Sequence, residues 1–332
     1  MAAIAFEYPE ETKAIREGIG TFLRNEVIPL HNNNADILED ERRKYRPDGG
    51  YSEELVGLMR QVRVKSAAAG YFNMCVPERM GGSGLGYVAY FAAWEKLFHT
   101  TGIRYPLAPE MIGHWAKGPS LVLEHLSPRM KQEALPGILS GEKTICFALS
   151  EPGAGSDASQ IKTRAVPDGD GWRISGEKIW ISNSPHANYA VVFAVTDPVL
   201  AADRKGGITA FVVPRESKGF HVERLIKMFG QNHSNEAVLH FNDLRVERDQ
   251  VLGQAPLQRD DVLGRCVEMY RAAFVPEVDR AGGRGGRRSR GGAGRVLGGA
   301  AGREEQRGER GRRGGERAAG DGHLLGGPFG IR

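Results

Sequence analysis

The chain has 332 residues, of which 40% are hydrophobic, and a formal net charge of +4. This length suffices for two or three domains, and the hydrophobic fraction suffices for a sizeable buried core. Three cysteines (Cys75, Cys146 and Cys266) lie far apart in the sequence. Their spacing supports neither a disulfide framework nor a zinc site, and it suits a reducing compartment.

The positive net charge comes from one end of the chain. Residues 281–332 hold 12 Arg, no Lys and 5 acidic residues, so the first 280 residues carry 33 basic and 36 acidic side chains. The folding part is therefore mildly acidic, and nucleic-acid binding is not expected of it. We see no secretory signal at the N-terminus and no apolar run near the ~20 residues that span a bilayer. We expect a soluble cytoplasmic protein, with the mitochondrial matrix and the peroxisome left open.

Residues 1–141 are predicted to form a helical domain. In the first segment, "PEETKAIREGIGTFLRNEVIPL", apolar residues recur every three or four positions, and Pro9 is a typical helix-entry residue. A second helix is predicted to begin at Ser52, an N-cap residue, and to end at Gly70. The stretch "YVAYFAAWEKLFHTTG" predicts another helix, and "VPERMGGSGLG" is a glycine-rich loop before it.

From residue 142 to residue 253 the pattern changes to short strands. Segments such as "KTICFALSE", "GWRISGEKIWISN", "YAVVFAVTD" and "ITAFVVPRE" are rich in β-branched and aromatic residues. Glycine, proline, aspartate and asparagine separate them, which is typical of an antiparallel sheet or barrel. The predicted fold class is therefore α+β, a helical N-terminal domain followed by an antiparallel β-barrel middle domain.

The last part of the chain predicts little folded structure. Residues 254–280 contain one possible helix, with Val262, Cys266, Met269 and Ala273 on one face. In residues 281–332, Gly and Arg make up 31 of 52 positions, and the single aromatic residue is Phe329. Such a composition cannot bury enough apolar surface to offset the entropy of ordering the chain. We expect disorder there.

The stretch "FALSEPGAGSDASQ", from Phe147 to Gln160, is the first candidate for a binding site. A strand is predicted up to Leu149, with Phe147 and Leu149 on one face. Gly153 and Gly155 permit positive φ and a close approach of backbone N–H groups to an anion. By itself, this pattern is more typical of a simple turn.

A second candidate is "SGEKIWISNSPHANY". Strand alternation from Lys178 to Ser182 places Trp180 and Ser182 on one face and Ile179 and Ile181 on the other. An indole beside a hydroxyl could cover and hydrogen bond a flat heteroaromatic ring. The alternative is a tryptophan that merely fills the surface of the sheet.

Taken together, the motifs are more specific than either alone. "FALSEPGAGSDASQIKTRA", "GWRISGEKIWISN" and "MFGQNHSNEAVLHFNDLRVERDQVLG", in this order, resemble the acyl-CoA dehydrogenase family of flavoproteins. The resemblance covers about residues 1–253 and is densest from residue 142 onward. It implies FAD as the cofactor and, for the family's fold, a C-terminal helical bundle that is truncated or missing from the pattern after Gly253.

The resemblance also implies roles for single residues. Near the flavin it places Phe147, Leu149, Ser150, Trp180, Ile181 and Ser182. Gly155 and Ser156 match the positions that meet the cofactor's pyrophosphate, and the loop with Ser156 also borders the acyl-CoA. Asp157 fixes the loop rather than touching a ligand.

The chemistry that the resemblance implies is α,β-desaturation of an acyl-CoA thioester. A carboxylate removes the α-proton while the β-hydrogen leaves as hydride to the flavin. Family partners are the acyl-CoA substrate and an acceptor like the electron-transfer flavoprotein. A homo-oligomer is typical of the family, but the C-terminal pattern does not favour it here.

The catalytic base is the weakest part of the pattern. Glu268 is the one candidate, on the predicted helix after the middle domain, although "CVEMY" around it does not match the family's motif and a solvated helix residue is the alternative. Glu151 is expected to hold the strand end. His233 and His240 lack the further ligands that a metal site needs, so no metal is expected, and His186 is expected in a loop.

Residues 281–332 leave two interpretations open. They form either an Arg/Gly-rich interaction segment or an out-of-frame translation of a GC-rich gene, since Arg without Lys suits GC-rich codons. The first interpretation gives an alternative function, a non-catalytic acyl-CoA dehydrogenase-like binding protein with an interaction tail. The second gives a dehydrogenase-like chain that has lost its catalytic domain and is inactive.

Overall fold

The computed structural model describes residues 7–228 and 235–253. Its α-helices are α1 (Glu10–Phe22), α2 (Ile28–Asn33), α3 (Ala35–Leu38), α4 (Glu41–Lys44), α5 (Glu53–Ala68), α6 (Gly86–Thr101), α7 (Pro128–Glu133), α8 (Leu135–Leu139) and α9 (Pro198–Ala202). Its strands are β1 (Ile145–Ala148), β2 (Arg164–Asp168), β3 (Gly171–Ser182), β4 (Tyr189–Val195), β5 (Ile208–Pro214), β6 (Phe220–Leu225) and β7 (Glu236–Val246).

The N-terminal region is helical, as the sequence predicts. Pro9 is the residue before α1, and the Ser52 hydroxyl accepts a hydrogen bond of 3.1 Å from the backbone N–H of Leu55 at the start of α5. The long helices α1, α5 and α6 bury one face each in a shared core. That core holds, among others, Ile19, Leu23, Leu58, Leu97 and Met111, all at most 5% exposed.

The strands form one seven-stranded mixed sheet. Its order is β1-β4-β2-β3-β7-β6, with β5 paired to β4. The prediction of a β-rich middle region is confirmed, but the sheet is not purely antiparallel, because β1 and β2 each run parallel to β4. Parallel neighbours need a long connection, and the chain from β1 to β4 supplies one by forming β2 and β3 on the way.

Strand β4 lies at the centre of the core. All seven of its residues are buried, and they alternate between two hydrophobic clusters. Val191 belongs to the cluster that also contains Met130 of α7 and Ile138 of α8, whereas Val192 belongs to the cluster between the sheet strands with Phe211 and Leu239. The sheet therefore packs against the helical region on one face, and the end of β1 lies where the two regions meet.

Two elements do not follow from the sequence pattern. Strand β2 is not predicted because its sequence "RAVPD" is mostly exposed and contains Pro167. The second element is the short helix α9, in which the side chain of Asp197 accepts hydrogen bonds from the N–H groups of Val199 and Leu200. The predictions for residues 254–332 concern residues outside the described ranges. Across residues 7–228 and 235–253, no helix combines the length and the apolar character needed to cross a bilayer.

Candidate functional site

A tight turn follows β1. Glu151 and Ala154 exchange two backbone hydrogen bonds, of 2.9 and 3.0 Å, and so close the turn at its base. Pro152 and Gly153 at its tip are exposed, as are Gly155, Ser156 and Asp157 beyond it. Asp157 accepts a hydrogen bond from the Ser159 N–H of its own loop, in line with the role that the resemblance implies, and it also pairs with Arg204, after α9, at 2.7 Å.

The glycines of this turn behave differently from the prediction. Neither Gly153 nor Gly155 has a positive φ, so left-handed backbone does not explain them. A Cβ built on either one would meet no described atom within 4 Å. The chain's own packing therefore does not require glycine here, and the open space leaves room for a ligand to approach the backbone closely.

Trp180 is displayed by an irregularity in β3. The register of β3 against β7 shifts between Lys178 and Ile181, and Trp180 takes a φ of 63°. A bulge of this kind re-aims a side chain, and the indole is 53% exposed while Lys178 and Ile181 are buried. The predicted alternation is therefore wrong at Lys178, which it placed on the same face as Trp180.

The two motifs meet although they lie far apart along the chain. The backbone N–H of Ile179 donates to the carbonyl of Ser150 at 2.9 Å. The side-chain amide of Asn183, with a φ of 69°, donates to the carbonyl of Ile145 at 2.8 Å. These bonds connect the end of β3 to both ends of β1, so Ser150 and Trp180 lie on neighbouring segments.

A buried ion pair lies beneath this junction. The ammonium of Lys178, fully buried, donates to Glu151 Oε1 at 2.8 Å and to the carbonyl of Leu149 at 3.0 Å. Glu151 also accepts from the backbone N–H groups of Lys162 and Thr163, at 2.5 and 2.9 Å. Burial alone would raise the pKa of Glu151, but the charge of Lys178 and the hydrogen bonds from Lys178, Thr163 and Lys162 together outweigh it and lower that pKa. Burial lowers the pKa of Lys178 to about 8.

Sequence reasoning missed Lys178. Strand alternation placed it on the face of Trp180, where a lysine would be solvated. The signal in the sequence that could have indicated the ion pair was an acidic residue in the first motif, Glu151, and a lysine in the second, Lys178. Glu151 holds the strand end, as predicted, and Lys178 is the partner through which it does so.

Two family models match most of the described chain. The acyl-CoA dehydrogenase N-terminal domain matches residues 9–142, and the acyl-CoA dehydrogenase middle domain matches residues 146–244. The chain belongs to the acyl-CoA dehydrogenase family. The mitochondrial short-chain specific acyl-CoA dehydrogenase of Bos taurus is 38% identical over 254 residues, which are 76% of this chain and 55% of that protein.

Solved structures agree with this family. The crystal structure of an acyl-CoA dehydrogenase from Geobacillus kaustophilus superposes with a TM-score of 0.60 at 26% identity, over 80% of this chain and 63% of that one. A chain in the structure of the electron transferring flavoprotein of Acidaminococcus fermentans superposes with a TM-score of 0.60 at 25% sequence identity, over 80% of this chain and 63% of that one. The chain spans about half the length of the curated relatives that it matches.

The remaining residues that the acyl-CoA dehydrogenase resemblance singled out lie on β1, on β3 or in the turn after β1. Phe147 and Leu149 pack against one cluster, as predicted, and the ring of Phe147 lies 5.1 Å from that of Trp115 and 5.7 Å from that of Phe193. The Ser182 hydroxyl donates to Glu236 at 3.0 Å. Ser150 is half-buried, whereas Ser156 is exposed. The structure therefore places these positions on β1, on β3 and in the turn after β1, and it buries Ile181 in the core.

The residues of the candidate site fit the chemical groups of FAD. An open glycine turn offers backbone N–H groups to a pyrophosphate, and an exposed indole offers a flat apolar surface to an aromatic ring. Ser182 follows the indole on β3, and Ser150 lies on the segment bonded to Ile179. A cofactor with a planar ring and a pyrophosphate matches this set.

The other candidates do not join the site. His240 lies on the exposed face of the sheet, 3.1 Å from Glu223 and 3.9 Å from Glu177, so it has two carboxylates within reach that the sequence did not place there. His186 stacks on Tyr51 with ring centroids 5.2 Å apart and the rings nearly parallel. His233 and the candidate base Glu268 lie outside the described residues.

Proposed function

We propose that this chain is the cofactor-binding part of an FAD-dependent acyl-CoA dehydrogenase-like oxidoreductase, which desaturates an acyl-CoA thioester between its α- and β-carbons. The observation that carries the proposal is the junction of Ser150 and Ile179, at 2.9 Å, in a chain of this family. It sets the open glycine turn beside the displayed Trp180. Neither feature is needed by the packing of the chain itself, and both suit a flavin dinucleotide.

The residues have distinct tasks in this proposal. Gly155 and Ser156 would bind the pyrophosphate through backbone N–H and hydroxyl donors. Trp180 would cover the flavin ring, with Ser182 and Ser150 as hydrogen-bonding groups and the half-buried Phe147 and Leu149 beside them. The side chain of Ile181 is buried in the core and would not reach the ring. FAD, when bound, supplies the acceptor for the hydride that leaves the β-carbon. The chain's contribution is to orient that acceptor against the substrate.

Glu151 is not the base of the reaction. Its carboxylate is 8% exposed, and Lys178, Lys162 and Thr163 already occupy its oxygens. A base must reach the proton that it abstracts, and this carboxylate points into the sheet's interior network. Glu268 stays a prediction for that role, and so does the loss of activity that a replaced C-terminal region would cause.

The partners follow from the chemistry. An acyl-CoA is the proposed substrate, since the curated relatives are named acyl-CoA dehydrogenases. Electrons taken from it must leave the flavin, and a carrier like the electron-transferring flavoprotein is the proposed acceptor. Cytoplasmic location and oligomeric state stay predictions from the sequence.

A titration of the full chain with FAD tests the proposal. We expect quenching of FAD fluorescence on binding, and then bleaching of the flavin band when a short-chain acyl-CoA is added. Trp180→Ala should weaken FAD binding at least tenfold. Phe91→Ala is the matched control, because Phe91 is a similarly exposed aromatic residue on α6 (62%). A wild-type chain that binds no FAD would refute the proposal, whereas binding without bleaching would refute only the catalytic part.

A further inference from the structure

We propose that the buried Lys178–Glu151 pair is a positioning device, which holds the two halves of the cofactor site at one fixed spacing. This inference rests on the function proposed above. It assigns to Lys178 a role in cofactor binding although its side chain, fully buried beneath the site, touches no ligand. The pair's connections, the freedom of the loop above it and the cost of burying its charges all support this role.

The pair connects three separate backbone segments. Lys178 lies on β3, two residues before Trp180, and donates to the carbonyl of Leu149 at the end of β1. Glu151 begins the glycine turn and accepts from the N–H groups of Lys162 and Thr163, where the chain leaves the loop toward β2. One salt bridge of 2.8 Å therefore joins the entry of the loop, its exit and the strand that displays the indole.

The tip of the loop has no comparable support. A methyl group added at Gly153 or Gly155 would have no described atom within 4 Å, and residues 155–157 are exposed. Asp157 is held by Ser159 and Arg204, both at the surface. The direction in which the tip presents its N–H groups is therefore set at its base, where Glu151 and Ala154 close the turn.

Stability alone is a poor explanation for such a pair. Removing two charges from water costs several kcal/mol per ion, and apolar residues of similar volume are often as stable. Hydrogen bonds to a carboxylate are directional and short, so an ion pair fixes relative positions in a way that apolar packing does not. Lys178 occupies the inward position next to the bulge, where a shift of about 1 Å would move Trp180 relative to Ser150 and cost affinity.

The test compares cofactor binding and loop motion in the full chain. The variant Lys178→Met/Glu151→Gln removes both charges at similar volume. We expect its FAD dissociation constant to rise at least tenfold, and the amides of residues 153–160 to exchange hydrogen at least tenfold faster in the FAD-free protein. The control is Lys65→Met/Glu26→Gln, which removes an exposed pair of 2.7 Å in the helical region. It should change neither quantity.

A milder variant covers the case in which the double variant does not fold. Glu151→Asp keeps the charge but withdraws the carboxylate by one methylene, and we expect FAD binding to weaken three- to tenfold. FAD binding within twofold of wild type in these variants would overturn the inference, as would weak binding with unchanged loop exchange. If the wild type binds no FAD but loop exchange accelerates in the double variant, the proposed function falls while the control of the loop by this pair stands.

Discussion

The base and the tip of the glycine turn are built on opposite principles. At the base, Glu151 and Lys178 are buried, and their polar atoms bond to neighbouring segments over 2.5–3.0 Å. At the tip, Gly153 and Gly155 face open space. The difference shows where the fold places its interactions: it fixes the positions from which the tip emerges and leaves the tip itself free for a ligand.

The largest expected effect comes from removing one partner of the Lys178–Glu151 ion pair at the base of the turn. Lys178→Met leaves the Glu151 carboxylate buried without its counter-ion, which should lower the free energy of unfolding by about 3–5 kcal/mol. Urea denaturation of the full chain measures it. Lys65→Met, at the exposed pair with Glu26, should cost less than about 1 kcal/mol. Equal losses of unfolding free energy in the two variants would contradict the view that the buried pair at the base of the turn matters more than the exposed pair.

A glycine at the base should tolerate alanine poorly. Gly176 has a φ of 153°, and a Cβ there would lie 2.5 Å from the Thr163 hydroxyl and 2.7 Å from the Thr163 Cα. Gly176→Ala should therefore destabilise the protein by about 1–3 kcal/mol, as overpacking does. The matched variant Gly57→Ala, in α5, meets nothing within 4 Å and should be neutral or stabilising by about 0.5–1 kcal/mol. Thermal unfolding distinguishes the two.

His186 contrasts with the buried Lys178–Glu151 pair, because its buried ring nitrogen makes no hydrogen bond within residues 7–228 and 235–253. His186 Nε2 finds no hydrogen-bond partner among the described residues, and burial lowers the pKa of His186 to about 4. The unfolded chain binds the proton first, at its ordinary pKa of about 6.5, so the contribution of His186 to stability is constant above about pH 6.5 and falls between that pH and about 4. At about pH 5.5 the loss of unfolding free energy should be on the order of 1 kcal/mol.

Substitution of His186 isolates this contribution from that of the carboxylates. His186→Phe keeps a ring against Tyr51 but cannot titrate, so the difference in unfolding free energy between variant and wild type should change with pH only below about 6.5. Urea denaturation at several pH values from about 7.5 to about 4.5 gives this difference. A difference that is the same at all these pH values would show that His186 is solvated.

The smallest effect on the FAD-free protein is expected at the tip. Because a Cβ at Gly155 meets no described atom within 4 Å and φ is not positive, Gly155→Ala should change the free energy of unfolding by less than about 0.5 kcal/mol. FAD binding should nevertheless weaken at least tenfold, since the methyl group would occupy the space of the ligand. A loss of stability without a loss of binding would place the glycine among the packing residues.

Much of this organisation is already present in the sequence. The 3–4 period before residue 140 and the short β-branched runs after it predict the helical and sheet regions, because those periods decide which side chains can share a buried face. The motifs around Phe147–Gln160 and Lys178–Asn183 mark the candidate site, since glycine, serine and tryptophan at these positions have chemical uses that local structure alone does not need.

The tertiary structure decided what local pattern could not express. Regular alternation predicts the wrong face for Lys178, because a bulge depends on the register of β3 against β7 and not on the sequence of β3 alone. The parallel pairing of β1 with β4 depends on which strands meet after the intervening hairpin has formed. The burial of Lys178 depends on Glu151, 27 residues earlier in the chain. Sequence indicated most of the elements and the two motifs of the candidate site; contacts between distant segments determined how those residues are aimed and held.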